Sequence, residues 1–216
     1  MLGNCGVDVL ETTILAFVLL GKLAERGIPF VFKGGTSVLL HVDPIRRLSR
    51  DIDIVCSLPA GELDPILAEI GREAPFTGFR EDARDPEALP NRRHFKFSYQ
   101  SRVSTSSWPS HVLLDVVMEE SRPHTIVEKA VGTSFLAPER EVLVPVPTVE
   151  SLLGDKLTAF APHTIGVPLY PATGAAGDVM QIAKQLFDIG VLFDAAGSFD
   201  DIERTYTPNQ AFESAY

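Results

Sequence analysis

Apolar residues along this chain recur in two rhythms, helical and strand-like, up to about residue 145, and in the helical rhythm alone after it. From Val7 to Arg26, Leu10, Ile14, Phe17, Val18 and Leu23 return at helical spacing until Gly27 stops the run. Ile28 to Phe32 is short, apolar and β-branched, which predicts a strand. It ends in the turn signal Lys33-Gly34-Gly35, after which Thr36 to His41 predicts a short helix that Asp43-Pro44 breaks. Asp51 to Leu58 has the composition of a buried strand and stops at Pro59. Asp64 to Glu73 predicts a helix, and the segment from Gly78 to Asn91 a short strand followed by a charged loop holding Pro86 and Pro90. His94 to Tyr99 and Val112 to Met118 predict two more strands, joined by the Ser-rich stretch Ser101 to Ser110.

Beyond this point the pattern simplifies. Pro145 and Pro147 introduce a helix from about Thr148, a plausible N-cap, to Phe160. Ala161 to Gly177, rich in Gly, Pro and Ala, predicts a loop. Val179 to Ala195 predicts the last clear helix, with Ile182, Leu186, Ile189 and Phe193 on one stripe. Thr207 to Tyr216 carry no stop signal. The expected organisation is a mixed core over 1–145 and a helical part over 146–216, packed on the core as one unit.

Composition narrows the class. The 216 residues suffice for one ample core, and 45% hydrophobic with 22% charged residues is ordinary for a globular domain. The apolar run Ile14 to Leu20 is too short to span a bilayer, and Asp8 and Glu11 precede it where a secretory signal would carry positive charge. The expectation is a cytoplasmic protein with no membrane partner. Two cysteines, Cys5 and Cys56, encode neither a disulfide framework nor a zinc cluster, and Cys56 reads as a small buried hydrophobe. A net charge of −10 argues against nonspecific coating of nucleic acid. The cations are nevertheless uneven: Arg46, Arg47 and Arg50 crowd before residue 51, and Arg92, Arg93, His94 and Lys96 form a second group. They read equally well as a basic rim or as solvated surface.

Candidate chemistry centres on Asp51 and Asp53. Two apart on a predicted strand, their side chains leave the same face, while Ile52, Ile54 and Cys56 face a core. Adjacent carboxylates repel, so such a pair is either costly or holds a cation, and oxygen ligands favour magnesium. An Asp-x-Asp alone is weak. Three features strengthen it: the strand-like flanks lack the spacing of a calcium loop, a Gly-Gly turn that could hold a phosphate lies just upstream, and Asp115 sits mid-strand in Val-Leu-Leu-Asp-Val-Val-Met. With Asp115 as a third carboxylate the set becomes a clamp for two ions, and Asp115 could accept the proton of a nucleophile. A buried aspartate paired with an arginine is the plainer reading of Asp115. The five histidines, His41, His94, His111, His124 and His163, lack metal-ligand spacing and stay unassigned.

These residues carry a resemblance. Lys33-Gly34-Gly35-Thr36-Ser37, followed by Arg47-Leu48-Ser49-Arg50-Asp51-Ile52-Asp53-Ile54, resembles the signature of the AbiEii/AbiGii toxin family of nucleotidyltransferases, in the DNA polymerase beta-like superfamily. Leu152-Leu153-Gly154-Asp155-Lys156-Leu157 resembles the family's lysine-bearing helix, and Ala183 to Ile189 its closing segment. The resemblance covers about residues 28 to 193. It implies an α/β fold of the polymerase beta-like type: a small mixed sheet with flanking helices and a helical C-terminal part. It also implies that Gly34, Gly35 and Thr36 or Ser37 bind the triphosphate of an NTP, that Asp51 and Asp53 bind magnesium, and that Lys156 neutralises phosphate charge. Lys184 and Asp188 would line the nucleotide cleft. Gln185 departs from the pattern, standing where the family usually has an aspartate.

The implied reaction is attack of an acceptor hydroxyl on the α-phosphate of the NTP, releasing pyrophosphate. The family further implies a toxin of a toxin–antitoxin pair, with an antitoxin partner and RNA, such as the tRNA acceptor end, as acceptor. Two other readings stand beside it: a small-molecule nucleotidyltransferase similar to the aminoglycoside-modifying enzymes, which the acidic charge favours, and a non-catalytic protein that keeps the fold. Without the family, Lys156 is an ordinary surface lysine and Asp188 a local cap or ion-pair partner.

Overall fold

The structure, a computed structural model, describes residues 6–82, 91–105, 108–119, 125–160 and 179–213. The loops expected around Pro86 and Pro90 and over 161–177, together with His124 and His163, lie outside these residues. The chain forms two compact units, one of Met1–Ser121 and Glu128–Val146, the other of Arg122–Val127 and Pro147–Tyr216.

The first unit is built on a five-stranded mixed sheet in the order β1-β2-β5-β4-β3, from β1 (Phe30–Lys33), β2 (Ile52–Cys56), β3 (Phe76–Glu81), β4 (Arg92–Tyr99) and β5 (Ser110–Met118). Only β2 and β5 run parallel; the other neighbours are antiparallel. The strand alternation read from the sequence holds. Phe30, Phe32, Ile52, Ile54, Cys56, Phe95, Phe97, Tyr99, Val112, Leu114 and Val116 are buried, whereas Asp53, Asp115 and His94 on the alternate positions are half-buried. The two longer helices of this unit, α1 (Val7–Glu25) and α3 (Ala60–Ile70), contact each other and the sheet, adding Phe17, Leu20, Leu23, Leu63 and Leu67 to the core. Each such side chain contributes about 1.5–3 kcal/mol by leaving water, so register is firmly held. A slip of one residue would send a whole row of these groups to the open face.

Two local expectations are corrected. The buried face of α1 is Thr12, Thr13, Ala16, Phe17, Leu19, Leu20 and Leu23, so of the apolar residues at helical spacing it takes Phe17 and Leu23 and leaves Leu10, Ile14 and Val18 half-buried. The threonines are tolerated because each hydroxyl is satisfied: Thr12 Oγ1 lies 2.8 Å from the Tyr99 hydroxyl, and Thr13 donates to the Ser49 carbonyl at 3.0 Å. The helix expected over 36–41 is instead a single turn, α2 (Gly34–Ser37), continued by a 3-10 turn over Val38–Leu40.

β6 (Ile126–Ala130) and β7 (Leu143–Pro147) form a separate two-stranded sheet that the pattern did not predict. The second unit contains α4 (Val149–Phe160), α5 (Val179–Ala195) and α6 (Phe199–Glu213). Thr148 caps α4 as expected, its Oγ1 accepting the Ser151 N–H at 3.3 Å. Helix α6 went unpredicted, its charged segment lacking an apolar stripe. Gly154 lets α4 approach it: a Cβ there would lie 2.8 Å from the Thr205 Cβ and 3.0 Å from the Ile202 carbonyl. On α5 the predicted stripe is not the buried one. Leu186 and Phe193 are exposed, and Asp188 and Leu192 are buried. Among the described residues no helix is long and apolar enough to cross a membrane.

Candidate active site on the open sheet face

The sheet face opposite α1 and α3 gathers the polar residues of the first unit. Strand pairing sets Lys33 against Asp53, Asp53 against Asp115, and Asp115 against His94. Directly paired residues project from the same face, so these four form one row across β1, β2, β5 and β4. Asp51 lies exposed, immediately before β2.

The Gly-Gly turn is pressed against this row. Gly34 sits at φ +73°, a backbone that side-chain-bearing residues rarely adopt, and a Cβ built there would fall 1.9 Å from Asp53 Oδ2. Thus glycine is required twice, for the dihedral and for the space the carboxylate fills. Thr36 and Ser37 are fully buried with their hydroxyls turned to backbone, Thr36 donating to the Asp51 carbonyl at 2.5 Å and Ser37 to the Gly34 carbonyl at 2.9 Å. Their hydroxyls therefore brace the turn and the approach to β2, and what the turn offers outward is backbone.

Oxygen donors at paired positions, beside a turn whose glycine adds no Cβ against Asp53, suit a hard divalent cation. The set is open rather than closed: among the described residues no three acidic, histidine or cysteine side chains are drawn together as a ready metal cluster. Asp115 leans instead toward a residue the sequence left unassigned, with its Oδ1 2.7 Å from His94 Nδ1. Spacing along the chain could not reveal this contact, because 21 residues separate the two and only the pairing of β4 with β5 joins them.

Strand alternation also divides the basic group at 92–96. Arg92, His94 and Lys96 take the face of Asp115, while Arg93 pairs with Val116 on the other. There Arg93 donates to Asp64 at 2.6 Å and to Glu81 at 2.8 Å, with its guanidinium carbon 4.8 Å from the centre of the Phe95 ring. The Arg93 hydrogen bond holds the Glu81 carboxyl below its ordinary value. A lowered carboxyl stabilises the fold above the unfolded glutamate pKa of about 4.3, and that contribution disappears as pH falls through the lowered value. Arg93→Ala should therefore lower the thermal midpoint at pH 7, with the gap to wild type narrowing in unfolding scans below about pH 4. On the open face, His111 is pushed down by burial first and then by Arg80 and Lys96, with Asp82 opposing.

In the second unit, three residues of the later blocks come together. Lys156 donates to Gln185 Oε1 and lies beside Asp188 Oδ2, each at 3.0 Å, with Lys156 and Asp188 both buried. Lys184 is exposed on α5, outside this group.

Comparisons with known proteins agree with the fold. A family model described as "Nucleotidyl transferase AbiEii toxin, Type IV TA system" matches residues 18–213. No curated protein matches the sequence. Among solved structures, the chain is similar to an antigenic nucleotidyltransferase-like protein from Paracoccidioides brasiliensis, at 14% identity and TM-score 0.53, covering 95% of this chain and 92% of that one. It is similar to JHP933 from Helicobacter pylori at 16% identity and TM-score 0.52, covering 97% and 74%. It is also similar to the antibiotic-resistance factor ANT(2'')-Ia, at 18% identity and TM-score 0.50, covering 96% and 95%. At these identities the likeness is one of fold.

Proposed function

The chain belongs to the AbiEii family of nucleotidyltransferase toxins, and from that premise we propose that it moves a nucleoside monophosphate from an NTP to a hydroxyl of RNA, with tRNA as the acceptor. The observation that supports this reading is the close packing of Gly34 against the Asp53 carboxylate, a turn suited to a phosphate next to a carboxylate suited to a cation. Asp51, Asp53 and Asp115 would hold the magnesium ions, which when bound lower the pKa of an attacking hydroxyl and offset charge on the phosphoryl group. Backbone N–H groups of Gly34 and Gly35 hold the triphosphate, and Thr36 and Ser37 keep that turn in shape. The acceptor oxygen attacks the α-phosphorus, Asp115 takes its proton, and pyrophosphate leaves. In the second unit, Lys156 and Lys184 are the cations that the family resemblance assigns to phosphate, and Asp188 is the buried carboxylate that holds the Lys156 ammonium. A cognate antitoxin is the partner the family model's description points to.

A second reading, transfer to a small molecule, is favoured by the net charge of −10, which opposes a polyanionic acceptor. One experiment separates the two. The protein is incubated with each α-phosphate-labelled triphosphate, magnesium, and either total RNA or an aminoglycoside panel, beside Asp53→Ala. The expected result is label in RNA, reduced about 10²-fold or more by Asp53→Ala. Label confined to the small molecules would overturn the RNA acceptor, and equal labelling by Asp53→Ala would overturn the mechanism.

A further inference from the structure

We propose that His94 is a positioning residue for Asp115, fixing one carboxylate oxygen so that the other is presented to the cation and the acceptor hydroxyl. The inference rests on the function proposed above and extends it to a residue outside the family signature. Three observations carry it. His94 and Asp115 are direct cross-strand partners, so the imidazole and the carboxylate stand side by side on one face. The contact is short, 2.7 Å, and involves Nδ1 and a single oxygen, Oδ1. Finally, Asp115 is at the same time the direct partner of Asp53 on its other side, so the bond with His94 restrains the carboxylate at the position facing the candidate metal ligand.

The chemistry follows from the donor inventory. An ionised carboxylate only accepts, so Nδ1 carries the hydrogen and donates it. In the structure Asp115 takes this hydrogen bond from His94. The side chains are 18% and 31% exposed, so the bond is partly shielded from water while the pair remains reachable from the open face. Carboxylates that bind a cation are commonly held by such a hydrogen bond, and its loss typically weakens metal affinity or activity by about 10–100-fold. With nothing to hold Oδ1, Asp115 would sample rotamers that turn it from Asp53.

The test uses manganese as the probe ion, its affinity measured by titration followed by electron paramagnetic resonance, without nucleotide. Alongside it, transfer is resolved into kcat and the KM for magnesium. Four variants are compared: His94→Asn, His94→Gln, His94→Phe and Asp115→Asn. An asparagine amide nitrogen takes the place of Nδ1, whereas a glutamine amide reaches one carbon further, toward the place of Nε2. Expected is affinity within about threefold of wild type for His94→Asn, and about tenfold weaker binding for His94→Gln and His94→Phe, with a matching rise in the magnesium KM. The Asn–Gln comparison decides the matter even if the Phe variant folds poorly. Weakening by Asp115→Asn with none by His94→Gln overturns the role of His94 alone, as does equal impairment of the Asn and Gln variants. Manganese binding that is absent in wild type overturns both this role and the proposed active site.

Discussion

Gly34→Ala is expected to reduce nucleotidyl transfer by about 10³-fold, from loss of several kcal/mol of transition-state stabilisation. The added Cβ would sit 1.9 Å from Asp53 Oδ2 and 2.6 Å from its Cγ, so either the turn or the carboxylate has to move. Under the proposed mechanism, movement of the turn would withdraw the backbone groups assigned to the triphosphate, and movement of the carboxylate would withdraw a cation ligand. The positive φ adds about 1–2 kcal/mol of backbone strain for any residue with a Cβ, so the thermal midpoint should fall as well. Gly21→Ala is the matched control. It lies within α1, its added Cβ would meet nothing within 4 Å, and it should leave transfer unchanged while gaining about 0.5–1 kcal/mol of stability. Steady-state transfer and urea unfolding of both variants check the prediction. Transfer by Gly34→Ala within threefold of wild type would show that the close packing at Asp53 does not matter to catalysis.

The second large effect lies in the second unit. Lys156→Ala should cost about 3–5 kcal/mol of stability, because it leaves Asp188, only 3% exposed, as a buried charge without its cation. Replacing both, as Lys156→Met with Asp188→Leu, removes the pair together and should recover most of that loss. Circular dichroism through a urea titration gives both numbers. If Lys156→Ala unfolds at the wild-type urea concentration yet transfers no label, the lysine serves the ligand and not the helices. Gln185 bears on the same balance. Its side chain accepts from Lys156 at 3.0 Å, as an aspartate could, but adds no second negative charge next to Asp188. Gln185 therefore gives Lys156 a neutral acceptor beside the charged one of Asp188.

Within the first unit, what could be foreseen depended on how far apart the interacting residues lie in the chain. The Gly-Gly turn and the Asp-x-Asp strand were legible because a positive φ and a period of two are local properties of a few residues. Asp115 stood out for a similar reason, as a charge amid Val and Leu. The family resemblance assigned Thr36 or Ser37 to the triphosphate, and in the structure both hydroxyls donate to backbone carbonyls. Local reasoning failed where composition was ambiguous: it chose Leu186 and Phe193 over Asp188 and Leu192 as the buried side of α5, since apolarity is no guide when a buried face is built around an ion pair.

By itself, then, the amino-acid order determined which segments become strands and helices, which face of each strand is apolar, and which residues have the chemistry to hold a cation or a phosphate. Only the tertiary structure decided which of those residues meet. The row Lys33–Asp53–Asp115–His94 draws on four strands spread over more than 80 residues, and it exists because β2 lies parallel to β5 and β5 antiparallel to β4. The physical reason is that side-chain direction is a property of one strand, whereas strand order and register are set by burying the opposite face as a whole.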